Sequence, residues 1–303
     1  MWSMTEGRNQ TTIQELQCRT GQIGIHQKII FSAMNIPLCS TAFLGNVLIL
    51  VALQKVSSLH PPSKLLLGCL ASSDLCVGLI TQPLYIIFLM IPAHFRLCHY
   101  LRFASFILGI LLCGVSLFTL TAISVDRLLA LLLGLRYRPK VTLRRIWILV
   151  ASLWISSAAL AMTSFYSIRI TTGISGVILF SCVATSICCY VKIYFTLRHH
   201  QAQIGVHDHQ QNEGRIPLNV ARYRNTVCTA LCMQISLLAC YLPYTIVAAS
   251  RVVTGLSLNL AWDVALSLIF FNSTLNPILY CWRVRQVREE VKNTIKQLCC
   301  LSS

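Results

Sequence analysis

The chain has 303 residues, 55% of them apolar, and a mean hydropathy of +0.67, whereas an ordinary soluble domain is roughly 45–50% apolar, so a soluble globular domain is strongly disfavoured. Only 11% of the residues are charged, yet 25 Lys and Arg stand against 9 Asp and Glu, a formal charge of +16. In a soluble protein this imbalance would suggest nucleic acid, but a chain buried mostly in lipid collects its basic residues at the membrane edges, and no nucleic-acid partner is expected.

Residues 1–28 are polar and lack the apolar run of a cleavable signal peptide. They contain Asn9-Gln10-Thr11, a glycosylation sequon usable only on the lumenal side. A bilayer core needs about 20 consecutive apolar residues in a helix. Seven stretches qualify: Ile29–Leu53, Leu65–Met90, Tyr100–Leu133, Ile146–Phe165, Gly173–Leu197, Asn225–Val253 and Asn259–Trp282. The fifth is interrupted by Gly173 and Gly176, so its start is the least defined. Barrel strands would instead alternate apolar and polar residues in segments of roughly ten, and no internal repeat of the transporter kind is present. The expected fold is an all-α membrane protein: a seven-transmembrane helix bundle at 29–282, preceded by an extracellular segment at 1–28 and followed by a short cytoplasmic amphipathic eighth helix and tail at 283–303.

An odd number of spans puts the termini on opposite sides. Eighteen basic residues follow spans one, three, five and seven, against seven on the other side: Arg8, Arg19, Lys28, Arg96, Arg102, Arg169 and Arg251. The positive-inside rule then makes the amino terminus extracellular and the carboxyl terminus cytoplasmic in a multi-pass plasma-membrane protein. The stretch His199–Arg224, rich in His and Gln, reads as a cytoplasmic linker. Beyond span seven, Val284, Val287, Val291, Ile295 and Leu298 alternate with basic residues, which suits a helix lying on the inner leaflet with membrane lipids as partners. Cys299-Cys300 are either palmitoylation sites or unmodified thiols.

An ionisable group at membrane depth costs at least about 2.5–3.5 kcal/mol, which makes each one a functional candidate. Asp74 lies in the middle of span two, and Asn46, Ser116, Asn272, Ser273 and Asn276 stand at comparable depth in spans one, three and seven, so the six can form one hydrogen-bonded cluster. Arg127 cannot lose its proton; at the end of span three it must pair, most simply with Asp126, or meet a partner. Pro243 and Pro277 each remove an intrahelical hydrogen bond and bend their helices, and the bends either serve as pivots or only shape a static bundle.

One motif occurs per span, in order: Gly45-Asn46-Val47; Leu70-Ala71-Ser72-Ser73-Asp74-Leu75; Ser124-Val125-Asp126-Arg127; Trp154; Tyr190; Cys240-Tyr241-Leu242-Pro243; and Asn272-Ser273-Thr274-Leu275-Asn276-Pro277-Ile278-Leu279-Tyr280. The set resembles the rhodopsin-like (class A) G-protein-coupled receptors, closest in character to the melanocortin, lysolipid, cannabinoid and adenosine cluster. The resemblance implies a receptor, not an enzyme, that binds an extracellular ligand and activates a heterotrimeric G protein when span six swings outward. It implies that Asp126 and Arg127 hold the resting state and that Arg127 is freed together with Tyr190 and Tyr280, with Tyr241, Pro243, Asn276 and Pro277 in the same activation machinery. No cofactor is required, but the family carries an allosteric sodium ion, here on Asp74, Ser116, Asn272, Ser273 and Asn276. Oxygen-only ligation suits a hard cation; a carboxyl satisfied by Asn and Ser without an ion is the alternative.

The chain departs from the family in several places. Leu128 follows the Asp-Arg pair in place of an aromatic, and Tyr241 replaces the usual Trp of span six. Tyr223 and Arg224 stand where many members carry an acid, so no second partner for Arg127 is evident, and ligand-free cells are expected to signal above mock-transfected ones. The loop Ser164–Thr172 has no cysteine and cannot form the usual bridge to span three; a Cys18–Cys98 bond and two free thiols both stay open. The ligand pocket would be lined by Gly109, Ile110, Cys113, Tyr241, Tyr244, Thr245, Ala248, Asp263 and Leu266. Gly109 stands where aminergic receptors carry their Asp, Ala248 where adenosine receptors carry the purine-binding Asn, and the melanocortin acidic cluster is missing. A small apolar or lipid-like ligand or a short peptide is expected. The competing class is a transporter or channel using Asp74.

Overall fold

The computed structural model describes residues 24–57, 59–92, 96–207, 217–254, 259–283 and 285–301. Asn9 and Cys18, and the side chains of Tyr223, Arg224, Cys299 and Cys300, lie outside what is described. Seven long helical segments appear in order, at Ile25–Lys55, Pro61–Met90, Arg96–Leu133, Leu143–Met162, Ile168–His207, Pro217–Thr254 and Asn259–Arg283, and a tail helix follows at Arg285–Leu301. Among the described residues six are long and apolar enough to cross a membrane, and the sixth in chain order carries a shorter apolar stretch, Ile235–Arg251. Helices are what lipid demands, since every backbone N–H and C=O must find its partner within the segment.

The helices overrun the apolar stretches at several ends. Span five begins at Ile168 and continues to His207, so its start is earlier than the two glycines suggested and its end runs into the expected linker. Neither Gly173 nor Gly176 has a neighbour within 4 Å of a built Cβ; they are tolerated where the backbone has no alternative to the helix. The start is fixed by Thr171, whose amide and hydroxyl both donate to the Ser167 carbonyl, at 3.0 and 3.1 Å. Only Tyr166 and Ser167 separate span five from the 3₁₀ turn Thr163–Phe165 that ends span four.

Span two is a composite. An α-helix, Pro61–Cys76, passes through a π-turn at Val77–Thr81 into a second α-helix, Gln82–Met90. At the π-turn the backbone of Gly78 lies against span one: a Cβ there would stand 2.9 Å from the Phe43 amide nitrogen and 3.2 Å from the Cys39 carbonyl oxygen. Only glycine permits that approach.

Span three packs against spans two, four and five, and span seven closes the ring by touching spans six and one. The distribution of polarity is inverted relative to a soluble protein. Asn35, Asn46, Asp74, Asn272, Ser273 and Asn276 are buried, whereas Leu44, Ile148, Ile155, Val177 and Phe180 are exposed on the outer faces. That is the arrangement expected when lipid, and not water, is the surrounding solvent.

The tail helix does not present its whole apolar face to a leaflet. Val287 and Val291 are buried in the main core, and only Ile295 of the described face residues is exposed. Lys55 ties the helix to span one by donating to Thr294 Oγ1 at 3.3 Å and Gln297 Oε1 at 3.1 Å. Lys64 reaches back to the Gln54 and Val56 carbonyls at 3.3 and 3.0 Å, a cation at the helix C-terminus where the dipole favours it.

Candidate functional site

The polar centre is built around the kink of span seven. Pro277 has no N–H to give the Ser273 carbonyl four residues earlier. Asn46 supplies the missing donor from span one, its Nδ2 lying 3.2 Å from Ser273 O and 2.7 Å from Ala42 O. Gly45 makes the approach possible, because a Cβ at that position would sit 2.9 Å from Pro277 Cβ. Asn46→Ala would strip the buried Ser273 carbonyl of its partner, a loss of about 1–3 kcal/mol. The expected result is a lowered melting temperature of the purified protein with no change in helix content by circular dichroism.

Asp74 is fully buried beside this kink. Its Oδ1 accepts from Ser116 Oγ at 3.0 Å and Ser273 Oγ at 2.8 Å, and its Oδ2 accepts from Asn276 Nδ2 at 2.6 Å. Spans two, three and seven thus meet on one carboxylate. Asn272 is buried nearby but makes no bond to it; the Asn272 Nδ2 and Asn46 Oδ1 atoms have no hydrogen-bond partner among the described residues. The oxygens of Asp74, Ser116 and Ser273, with the unpartnered Asn46 Oδ1, are of the type a hard cation takes, whereas the free Asn272 Nδ2 is a donor and cannot ligate one.

At one end of the bundle Asp126 is 4% exposed and accepts from Tyr137 Oη at 2.6 Å and Ser63 Oγ at 3.1 Å. Arg127 contacts the same carboxylate only at 3.5 Å, through Nη2, and its side chain is 34% exposed. The expected pair exists, but two hydroxyls hold Asp126 more closely than its neighbour does. Tyr137 sits on the short helix Tyr137–Lys140 after span three, and nothing in its linear spacing announces the contact. Tyr190 Oη lies 2.9 Å from Ser124 Oγ. Tyr280 is buried with no partner for its hydroxyl among the described residues.

At the opposite end a cavity of ≈ 480 Å³ opens among spans two to seven, within the usual range for small-molecule sites of roughly 300–1,000 Å³. Gly109, Ile110, Cys113, Tyr241, Tyr244, Ala248, Asp263 and Leu266 all line it. Thr245 does not: its hydroxyl turns back to the Leu242 carbonyl of its own helix at 2.7 Å. Tyr241 Oη reaches the Cys113 carbonyl at 3.5 Å, linking spans six and three two residues from Pro243. Asp263 accepts from Tyr85 Oη at 2.7 Å, and Tyr85 packs edge-on against Phe270. Tyr244 and Trp262 rings stand 5.1 Å apart. Arg251 lies over Trp262, 4.6 Å from the ring centroid, and donates to Asn259 Oδ1 at 3.0 Å.

Tyr85, Arg102, Arg169, Arg251 and Trp262 line the same cavity without having been expected there. One signal was available for three of them. Arg102, Arg169 and Arg251 belong to the basic minority on the side that the positive-inside rule leaves poor in charge.

A seven-helix membrane bundle with a carboxylate at its centre, an Asp-Arg pair at one end and a cavity at the other has the form of a seven-transmembrane receptor. The chain belongs to the 7 transmembrane receptor (rhodopsin family), whose sequence profile matches residues 45–176 and 166–280. It is 27% identical to adenosine receptor A2b of Bos taurus over 86% of this chain and 88% of that protein. Adenosine receptor A3 of Ovis aries is 24% identical over 82% and 84%, and adenosine receptor A2b of Rattus norvegicus 35% identical over 46% and 41%. It is thus a G-protein-coupled receptor for an extracellular ligand, a multi-pass membrane protein, and a receptor rather than an enzyme or transporter.

Proposed function

We propose that ligand entering the cavity from outside the cell shifts span six about Pro243, opens the Arg127 end on the cytoplasmic side, and lets a heterotrimeric G protein exchange its nucleotide there. The observation that carries this reading is the unequal grip on the Asp-Arg pair: Asp126 is anchored by Ser63 and Tyr137, whereas Arg127 is held at 3.5 Å and is one-third exposed. A fixed acid and a loosely held guanidinium form a latch that can open without unfolding anything. Tyr190 on span five and Tyr280 on span seven, both buried with polar hydroxyls, supply acceptors for Arg127 once it leaves. The orientation rests on the basic residues, eighteen against seven, with Asn9 glycosylated outside and Cys299 and Cys300 palmitoylated inside.

Asp74, Ser116, Asn272, Ser273 and Asn276 would hold a sodium ion in the resting state, its charge offset by the carboxylate and its ligands drawn from spans two, three and seven. The similarity to adenosine receptors makes adenosine the first ligand to try, although Ala248 offers the cavity a methyl group and no purine-binding amide. Cells expressing the chain and challenged with a ligand library should change cyclic AMP or calcium in an Arg127-dependent way; membrane current or solute flux without G protein would overturn the reading. Asp126→Asn weakens the latch by the 0.5–1 kcal/mol that a part-exposed ion pair supplies. Basal nucleotide exchange in ligand-free membranes should then rise by about two- to fivefold.

A further inference from the structure

Both hydroxyls that grip Asp126 answer to one stretch of four residues, His60-Pro61-Pro62-Ser63, which leads into span two. The residue before a proline is pushed into the extended or polyproline region, which His60 adopts at φ −58° and ψ 128°. The stretch is tied down at once, since the Lys64 amide donates to the His60 carbonyl at 3.0 Å. Ser63 reaches Asp126 Oδ2 directly at 3.1 Å. His60 reaches the other oxygen at one remove: its ring packs against that of Tyr137, with centroids 5.3 Å apart and planes tilted by 50°, and Tyr137 Oη donates to Asp126 Oδ1 at 2.6 Å. His60 Nδ1 is buried with no hydrogen-bond partner among the described residues, so on that side the imidazole serves as a packing surface.

Tyr137 depends on such a surface. It sits on a single helical turn, Tyr137–Lys140, entered through the 3₁₀ turn Gly134–Arg136 with Gly134 at φ 48°, and one turn of helix is not stable by its own hydrogen bonds. The effect of the placed hydroxyl on Arg127 follows from the two oxygens of the carboxylate. A guanidinium closes on a carboxylate as a fork, with two parallel N–H bonds of about 2.7–2.9 Å. Here Tyr137 occupies Oδ1 and Ser63 shares Oδ2, and Arg127 Nη2 contacts only Oδ2, at 3.5 Å. Hydroxyls competing for the same acceptor keep the ion pair long.

We propose that His60 is a positioning residue for the Asp126–Arg127 pair: its ring sets Tyr137 against Asp126 Oδ1, which confines Arg127 to the other oxygen and keeps the pair from closing into a two-pronged bridge. His60 thereby adjusts how readily Arg127 leaves. The proposal rests on the latch reading above for its effect on signalling, and on the geometry of the carboxylate for its effect on the pair.

The test uses the full chain in phosphatidylcholine nanodiscs, with neither ligand nor G protein, and follows the reaction of Arg127 with phenylglyoxal by peptide mass spectrometry. This reagent adds to free guanidiniums and is slowed where one is held in a bridge; the exposed Arg144 is the internal reference. Tyr137→Phe and His60→Ala both release Oδ1, so each should slow modification of Arg127 relative to Arg144 by about two- to fivefold, the strength of a part-exposed ion pair. His60→Phe keeps a ring and should match the unmodified receptor. In a Tyr137→Phe background His60→Ala should add nothing, because His60 acts through the hydroxyl already removed. If His60→Ala does not fold, His60→Gln, which also lacks a ring, is compared with His60→Phe. Modification that is unchanged or faster in the ringless variant, a His60→Phe receptor as slow as the ringless one, or a His60 effect that persists in the Tyr137→Phe background would overturn the proposal. Nucleotide exchange in ligand-free membranes, read on the same variants beside Asp126→Asn, separates the two readings. Slowed modification with no fall in exchange overturns the latch and leaves the positioning role standing. Exchange raised by Asp126→Asn, with Arg127 modification indifferent to His60 and Tyr137, overturns the positioning role alone.

Discussion

Arg127→Ala is expected to lose ligand-stimulated nucleotide exchange by roughly 30-fold or more while keeping ligand binding and thermal stability near those of the unmodified receptor. The functional loss follows if Arg127 stands at the centre of the proposed G-protein-binding face, where truncating a hot-spot arginine costs about 2 kcal/mol or more. The stability is spared because the Asp126 contact is 3.5 Å long and the side chain 34% exposed; such an ion pair contributes about 1 kcal/mol at most. Asp126 would lose its paired cation but keep the hydrogen bonds from Ser63 and Tyr137, so its buried carboxylate is not left without donors. Nucleotide loading in membranes, run beside a melting curve, separates the two effects. Exchange within twofold of the unmodified receptor would remove Arg127 from the coupling mechanism.

The spans were legible because lipid enforces a length and a composition that few other environments require. Span boundaries were less so, since hydropathy marks where a helix meets lipid and not where its hydrogen bonding stops. Ile168–His207 shows this at both ends: polar and glycine residues fall outside the apolar window, yet the ladder runs through them. The π-turn at Val77–Thr81 left no periodic trace, because a single extra residue shifts the helix phase without changing its mean hydropathy. The tail helix was foreseen as amphipathic, but what its apolar face meets was not: Val287 and Val291 pack into the bundle, a tertiary choice that periodicity does not encode.

The site divides in the same way. Asp74 and its partners could be found from one sequence because polar groups at membrane depth are expensive and so conspicuous, and Ser116, Ser273 and Asn276 do converge on its carboxylate. Gly45 and Asn46 were visible as a motif, while their joint purpose, accommodating Pro277 and partnering the carbonyl it frees, needed the geometry. The arginines of the cavity wall do not stand out in the sequence, where eighteen of the 25 basic residues follow spans one, three, five and seven. The +16 is a topology signal, but Arg102, Arg169 and Arg251, on the sparsely charged side, converge on one cavity.

Replacing Asp74 should produce two separable outcomes. Asp74→Ala removes the acceptor of three hydrogen bonds at a fully buried site, and each hydroxyl or amide donor left without an acceptor is expected to cost about 1–3 kcal/mol. Asp74→Asn is milder, because its amide oxygen can still accept from Ser116 and Ser273, and a turn of the Asn276 amide relieves the opposed NH₂ groups; about 1 kcal/mol is expected, the size of one net hydrogen bond. What Asn cannot replace is the negative charge. If sodium binds here, the melting temperature of the unmodified receptor rises when choline is replaced by sodium at constant ionic strength. With the ion at ten times its dissociation constant the gain is about 1.4 kcal/mol, and Asp74→Asn abolishes it while remaining folded. A melting curve indifferent to sodium in both proteins would mean that three protein donors satisfy the carboxyl without an ion, and the same cluster would then serve as a structural clasp between spans two, three and seven.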